Sequence, residues 1–238
     1  MFNLKKGHDM RLITDGASNP KTAKSADYGY LTGGLHLAPH TSSGYQACGS
    51  ETIGCSTNCL YYQGRGRMTT IQQARIRKTR MFFENREAFL ADLVKDIASI
   101  ERRADKNNLK PCIRLNVLSD IRWERHGIME QFPDVTFYDY TKHKNRKGLP
   151  KNYSLTFSRS ELSTVDDINE AIENRMNVAI VFRDELPLVW NNIRVIDGTV
   201  HDLRFLDPKP CIVGLTAKGT GKKDLTGFVV TGIHSSRL

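Results

Sequence analysis

The sequence predicts an α/β fold built as an incomplete (β/α) barrel, TIM-like in outline, over the whole chain of 238 residues. Short apolar runs with strand character alternate with helical patterns, which is typical of parallel strands joined by crossover helices. The last sixty or so residues are rich in strand-like runs, which predicts an irregular end to the same sheet. We find no linker long enough to divide the chain, and its length suits one large domain. A doubly wound sheet is the alternative architecture.

The chain begins with a polar, turn-rich segment, residues 1–27, which we expect to be an N-terminal arm lying over a partial barrel formed by residues 28–238. The first strand is predicted at residues 28–37, "YGYLTGGLHL". Gly33 and Gly34 interrupt it, which indicates a bulge or a close approach by other atoms. Residues 69–105 have a helical pattern. Their second half carries one apolar stripe, formed by Phe89, Leu90, Leu93, Val94, Ile97 and Ile100.

Four further strands are predicted in the runs "KPCIRLNVL", "DVTFYDYTK", "YSLTFS" and "NVAIVF". Between the first two, "SDIRWERHGIMEQF" predicts a short helix capped by Ser119 or Asp120. Before the last, "TVDDINEAIENRM" predicts a helix in which Thr164 and Asp167 have capping-box spacing. The remaining strand-rich runs are "PLVWNNIRVIDG", "RFLDPKPCIVGLTA" and "TGFVVTG".

From the composition and the first residues we expect a globular protein of the cell interior. The apolar fraction is 39% and the charged fraction 26%, both ordinary for a globular domain. No apolar stretch has the length of a membrane span, and "MFNLKKGHDMRL" lacks the apolar run of a secretory signal. The five cysteines are an odd number, which argues against a disulfide framework. Cys112 and Cys211 lie within apolar runs and are expected to be buried.

The chain is basic, with a net charge of +9, which is typical of proteins that bind nucleic acid or an anionic substrate. A cluster of cations lies in "GRGRMTTIQQARIRKTRMFFENR". At 100° per residue its central members, Arg75, Arg77, Lys78 and Arg80, do not share one helix face. Aromatic residues that could stack on bases are not interleaved with them. These two observations weaken the case for nucleic-acid binding, but the basic charge keeps it open. The alternative function is therefore a basic nucleic-acid-binding protein with a structural zinc or cluster.

Three cysteines are concentrated in "CGSETIGCSTNC" as Cys48, Cys55 and Cys59, spaced C-x6-C-x3-C. The loop follows the first predicted strand directly, and functional groups of parallel α/β domains gather on such loops. Cys55 and Cys59 are four residues apart and so share one side of a helical turn. Free structural thiols, a zinc ion and an iron–sulfur cluster are the three interpretations.

An iron–sulfur cluster is the interpretation that we favour. Zinc prefers four ligands, often with a C-x2–4-C pair, and here the fourth would come from His36, His40 or elsewhere. A cuboidal cluster accepts thiolates on three or four corners. Three cysteines would hold a 4Fe–4S cluster with one open iron, or a 3Fe–4S cluster. An open iron is able to bind a substrate or S-adenosylmethionine, as in radical enzymes.

The segments "LHLAPHTSSGYQACGSETIGCSTNCL", "ARIRKTRMFF", "RLNVLSDIRWE", "FPDVTFYDYTK" and "DPKPCIVGLTAKG" together resemble the bacteriophage domain family known as gene product 88. The resemblance covers nearly the whole chain and implies a phage protein acting in the cytoplasm of the infected bacterial host. The family's function is largely unknown. In outline the chain is also similar to the radical S-adenosylmethionine superfamily. It departs from that superfamily's C-x3-C-x2-C motif, and "LNVLSD" stands where a Gly-Gly-Glu-like segment is expected.

Polar residues at the ends of later strands are candidates for catalysis. Asn116 and Asp120 follow the second predicted strand and Lys142 follows the third, so a barrel would bring them near the cysteine loop. Arg65 is the cation nearest to that loop in sequence. A guanidinium beside an anionic cluster raises its potential, so we expect Arg65 to contribute to cofactor binding. The implied partners are a small molecule or an electron-transfer partner of unknown identity, with nucleic acid as the alternative and no membrane.

Overall fold

The computed structural model describes residues 10–16 and 24–231. Within these ranges the chain forms ten strands and four α-helices. The strands are β1 Ile13–Asp15, β2 Tyr30–Leu35, β3 Lys110–Arg114, β4 Thr136–Thr141, β5 Tyr153–Ser158, β6 Asn177–Phe182, β7 Val189–Trp190, β8 Ile193–Asp197, β9 Ile212–Thr216 and β10 Val229–Val230. The helices are α1 Ile53–Thr57, α2 Thr69–Glu84, α3 Arg86–Lys106 and α4 Val165–Glu173.

All ten strands belong to one sheet, which confirms the predicted α/β class. Strands β2, β3, β4, β5, β6 and β9 are parallel neighbours in that order. Strand β1 is antiparallel at one edge, and β8 and β7 extend the other edge. Because the two edges do not pair in the described part of the chain, the sheet is open and no barrel closes. The strands from β2 to β6 also follow chain order without the reversal of a doubly wound sheet.

The N-terminal arm is partly integrated into the sheet. Residues 1–9 and 17–23 of the predicted arm lie outside the described residues. Leu12 and Ile13 are buried, and their backbone N–H groups donate to Asp96 Oδ2 on α3 at 2.6 and 2.8 Å. A Cβ on Gly33 would lie 2.8 Å from Ile13 Cγ2. The interrupted strand therefore reflects a close approach by β1.

The predicted helix over residues 69–105 is two helices that meet at Asn85. The Asn85 side chain accepts a hydrogen bond from the Ala88 N–H and caps α3. The predicted stripe is confirmed: its buried members are Phe89, Leu93, Ile97 and Ile100, while Leu90 and Val94 are partly buried against the same core. This stripe packs α3 onto β1, β2 and β3.

The prediction of a short α-helix within residues 119–132 is wrong. The chain forms two 3-10 turns there, Trp123–His126 and Met129–Gln131. Asn116 Oδ1 accepts hydrogen bonds from Ser119 Oγ, Ile121 N and Trp123 Nε1. These side-chain bonds compete with helical backbone bonds and fold the segment into a compact loop.

The second half of the chain follows the predicted order of elements. Helix α4 begins with the predicted capping box of Thr164 and Asp167. Cys112 and Cys211 are both fully buried, as expected for small apolar side chains. None of the helices in the described ranges has the length and apolar content that a transmembrane helix requires.

Candidate functional site

The cysteine loop lies over the carboxyl ends of the parallel strands, where it covers a cavity of about 330 Å³. All three loop cysteines line this cavity. The opposite wall comes from residues near the carboxyl ends of five strands, namely Arg114, Thr141, Ser158, Val181 and Thr216. Parallel strands direct their ends to one edge of the sheet, so residues far apart in sequence meet at this one site.

Helix α1 positions Cys55, and Cys59 follows two residues after its last turn. Thr52 caps the helix by accepting a hydrogen bond from the Cys55 N–H at 3.3 Å. At the other end the Asn58 amide donates to Gly54 O at 2.9 Å and to Asp224 Oδ1 at 2.8 Å. The second bond ties the helix to the segment before β10. A five-residue helix is not stable alone, so these caps and tertiary bonds determine where the two thiols lie.

Glu161 fixes the start of α1 through hydrogen bonds to Thr52 and Gly54. Its carboxylate accepts hydrogen bonds from the Gly54 N–H at 2.7 Å and from Thr52 Oγ1 at 2.8 Å. Partial burial alone would raise the pKa of Glu161, but these hydrogen bonds outweigh it and lower the pKa below its ordinary value. The carboxylate is therefore ionised at neutral pH and holds the cysteine loop in place.

Gly54 is packed so tightly that the loop has no room for a side chain there. A Cβ would lie 2.5 Å from Phe228 Cβ and 2.7 Å from Glu161 Oε2. We predict that Gly54→Ala lowers the free energy of unfolding by about 1–3 kcal/mol, measured by denaturant titration. Gly49→Ala is the matched control, because a Cβ on Gly49 meets no atom within 4 Å. Equal unfolding free energies for the two variants would contradict the tight packing at Gly54.

Cys48 and Cys59 lie in an environment that disfavours their thiolate forms unless a cation is bound. Burial raises the pKa of Cys48 to about 12, with further increases from the charges of Cys59 and Cys55, against an opposing backbone hydrogen bond from His40. Burial also raises the pKa of Cys59, while a backbone hydrogen bond from Tyr61 and the charge of Arg75 lower it. As a free thiol, Cys48 Sγ donates to Leu118 O at 3.3 Å. A metal centre binds only the deprotonated thiols, so it would relieve this mutual repulsion.

The described side chains do not form a site for a single metal ion. Across residues 10–16 and 24–231, no three His, Cys, Asp or Glu side chains converge as one ion requires. A zinc ion draws four ligands to one point. A cuboidal cluster instead binds each thiolate at a separate iron corner, so its cysteines lie farther apart around a larger core. The three loop thiols line one cavity.

The predicted catalytic residues Asn116, Asp120 and Lys142 all line the cavity. Asp120 Oδ2 accepts a hydrogen bond from the Lys142 N–H at 2.8 Å. Lys142 Nζ donates to the backbone oxygen and the hydroxyl of Ser158, both at 3.2 Å. The Asn116 side chain bonds to its own loop.

Arg65 is exposed and is not among the residues that line the cavity. The guanidinium that acts electrostatically on the cysteine site belongs to Arg75 on α2, through Cys59. Arg75 is farther from the cysteines in sequence than Arg65, but the fold brings its charge to Cys59. Arg75 has no sequence signature of this role. In the structure its guanidinium lies over the ring of Tyr61, with Cζ 5.6 Å from the ring centroid.

Sequence reasoning missed two polar pairs in the wall. Arg114 at the end of β3 forms a buried ion pair with Asp202, with Nη1 2.9 Å from Oδ2. His40 contacts Glu51 through Nδ1 and Oε2. All four residues line the cavity. Neither pair has a sequence signature, since each depends on how distant loops fold over the sheet.

The fold and the site define a class: α/β proteins with a cysteine-lined cavity at the carboxyl edge of an open, mostly parallel sheet. The sequence model of a family described as Gene product 88 matches residues 4–232. The chain belongs to that family, which confirms the resemblance seen in the sequence. No curated protein matches the chain, and no solved structure does.

Proposed function

We propose that this protein is an iron–sulfur protein in which Cys48, Cys55 and Cys59 hold one cluster, either 4Fe–4S with an open iron or 3Fe–4S. The observation that carries the proposal is the position of these three cysteines around one cavity at the carboxyl edge of the parallel sheet. Cysteines without a shared function would be expected to lie at separate places in the fold. Cys112 and Cys211 are of this kind, since both are buried and neither lines the cavity.

The residues around the cysteines have the roles that such a cofactor needs. Backbone hydrogen bonds from His40 and Tyr61 to the sulfurs favour the thiolate forms of Cys48 and Cys59. Arg75 adds a positive charge that offsets the charge of Cys59. The cluster, when bound, supplies one-electron redox chemistry. The cavity in front of it is large enough to admit a small molecule.

Radical or other redox catalysis with S-adenosylmethionine is the enzymatic form of this proposal. The consecutive order of the parallel strands from β2 to β6 is the order of a partial (β/α) barrel, which supports the likeness in outline to the radical S-adenosylmethionine core. Asp120 and Lys142 would orient the substrate from the far wall. The partner is an unidentified small molecule or electron-transfer protein in the cytoplasm of an infected bacterium.

Nucleic-acid binding is less well supported, because the basic helix α2 uses several of its cations within the protein. Lys78 Nζ donates to Leu12 O at 2.6 Å, and Arg80 Nε donates to Ser43 O at 3.0 Å. The Arg75 guanidinium lies over the ring of Tyr61. A steep loss of DNA or RNA affinity with rising salt would instead support a nucleic-acid-binding function.

Anaerobic purification from iron-supplemented cells tests the proposal. We expect a brown protein with broad absorption near about 400 nm. Iron and acid-labile sulfide should be present in equal amounts for the 4Fe–4S form, and with less iron than sulfide for the 3Fe–4S form. Paramagnetic resonance separates the 3Fe–4S form from the 4Fe–4S form, and added S-adenosylmethionine should change the signal if it binds the open iron. A colourless protein that holds zinc, or no metal at all, would overturn the proposal.

A further inference from the structure

A histidine lies beside the three cysteines on the wall of the same cavity. His40 is buried, with 9% of its surface exposed, and it occupies the turn between β2 and the cysteine loop with a left-handed φ of 55°. Its ring is parallel to the ring of Tyr62, with centroids 6.4 Å apart. The backbone bond from His40 to Cys48 keeps this turn next to the first thiol. The backbone and a neighbouring ring therefore fix the position of the imidazole.

Glu51 orients the ring. Nδ1 of His40 contacts Glu51 Oε2, and Glu51 Oε1 accepts a hydrogen bond from Gln46 Nε2 at 3.0 Å. A tautomer with its proton on Nδ1 would face this carboxylate and leave the lone pair on Nε2. Within the described ranges Nδ1, Nε2 and Glu51 Oε2 are all buried, and none of the three has a hydrogen-bond partner. A buried polar atom without a partner is unfavourable, which indicates that a ligand absent from the apoprotein satisfies it.

This arrangement has a known chemical use. Histidines that bind metals commonly donate their other ring N–H to a carboxylate, which fixes the tautomer and raises the basicity of the free nitrogen. An imidazole nitrogen also replaces a thiolate on iron in some clusters and raises the reduction potential.

From the Glu51–His40 pair and the unpartnered Nε2 we infer that His40 is the fourth, non-cysteine ligand of the cluster, and that Glu51 is its positioning residue. The inference rests on the proposed function, since it needs the cluster to be present. A histidine at the fourth corner retains the fourth iron, so it favours the 4Fe–4S form. It also makes S-adenosylmethionine binding depend on displacement of the histidine.

The test compares the anaerobic wild-type protein with His40→Asn. Asparagine tolerates the left-handed backbone of this turn but lacks the imidazole. His143→Asn is the matched control, because His143 contacts Ser50 of the cysteine loop and does not line the cavity. Proteins labelled with 15N-histidine are reduced and studied by pulsed paramagnetic resonance. The midpoint potential and the iron content per chain are measured alongside.

We expect a histidine nitrogen coupling in the wild type and in His143→Asn, and its loss in His40→Asn together with a lower potential and a shift from the 4Fe–4S to the 3Fe–4S form. His40→Cys should restore four iron atoms per cluster without the nitrogen coupling. A wild-type cluster without histidine coupling would overturn this inference and leave the proposed function standing. A wild-type protein without any cluster would overturn both.

Discussion

Replacing Cys55 with alanine should remove the cluster entirely, with iron and acid-labile sulfide falling to the background of the measurement. Cys55 lies on α1 between the other two ligands in sequence, and its neighbours in the fold offer no thiol to replace it. Two thiolates leave two corners of a cuboidal core without cysteine, and such a core is lost during purification. We expect the same loss for Cys48→Ala and Cys59→Ala, because all three thiols line the one cavity.

The chain contains its own controls for this experiment. Cys112→Ala and Cys211→Ala also remove one thiol each, but both positions are fully buried and neither lines the cavity. These variants should keep the wild-type content of iron and sulfide per folded chain. Circular dichroism on every variant separates loss of the cluster from loss of the fold. Equal iron content in Cys55→Ala and Cys112→Ala would contradict the assignment of the ligands.

Replacing Asp139 with asparagine should remove much of the pH dependence of stability between about pH 4 and pH 7. Burial of Asp139 on β4 raises its pKa from 3.8 to about 7, against hydrogen bonds from Asn116 N and Tyr153 and the charge of Arg114. Because one pKa unit is worth about 1.4 kcal/mol, ionising this carboxyl costs on the order of 4 kcal/mol more in the folded protein than in the unfolded chain.

The sign of the effect follows from the raised pKa. The folded state holds the proton more tightly than the unfolded state, so the stabilisation is complete below about pH 4 and is lost as the pH rises through about 7. Urea titrations at several pH values should show this loss in the wild type. They should show a flatter profile for Asp139→Asn, which keeps the shape of the side chain.

Asp134→Asn, an exposed carboxylate just before β4, is the control and should keep the wild-type slope. A wild-type profile that is flat or rises between pH 4 and pH 7, with no change in Asp139→Asn, would show that Asp139 is not held protonated.

The strands could be predicted from sequence because each is a short apolar run bounded by polar or turn residues, and all the main ones formed where expected. Local patterns did not predict the break between α2 and α3, since helical periodicity continues through Asn85 and only the side-chain cap marks the boundary. They also failed at the segment after β3, where tertiary bonds to Asn116 replace helical bonds. Whether the sheet closes into a barrel depends on pairing between its two edge strands, β1 and β7. No local sequence pattern encodes that pairing.

Some features of the candidate site could also be predicted from sequence, and others depend on the tertiary fold. The spacing of Cys48, Cys55 and Cys59 on a loop after the first parallel strand predicted one shared site, and parallel topology placed Asp120 and Lys142 on its wall. Charge partners were harder to predict, because they depend on which segments the fold brings together. The orientation of His40 by Glu51 required the turn and the loop to close on each other, which the sequence alone does not indicate.

The central claim is that one iron–sulfur core lies between the three loop cysteines. Diffraction from anaerobically grown crystals at the iron absorption edge tests it most directly. The account predicts one compact anomalous peak that contacts Sγ of Cys48, Cys55 and Cys59 at the carboxyl edge of the sheet. A peak at the zinc edge only, or three sulfurs with no metal between them, would contradict it.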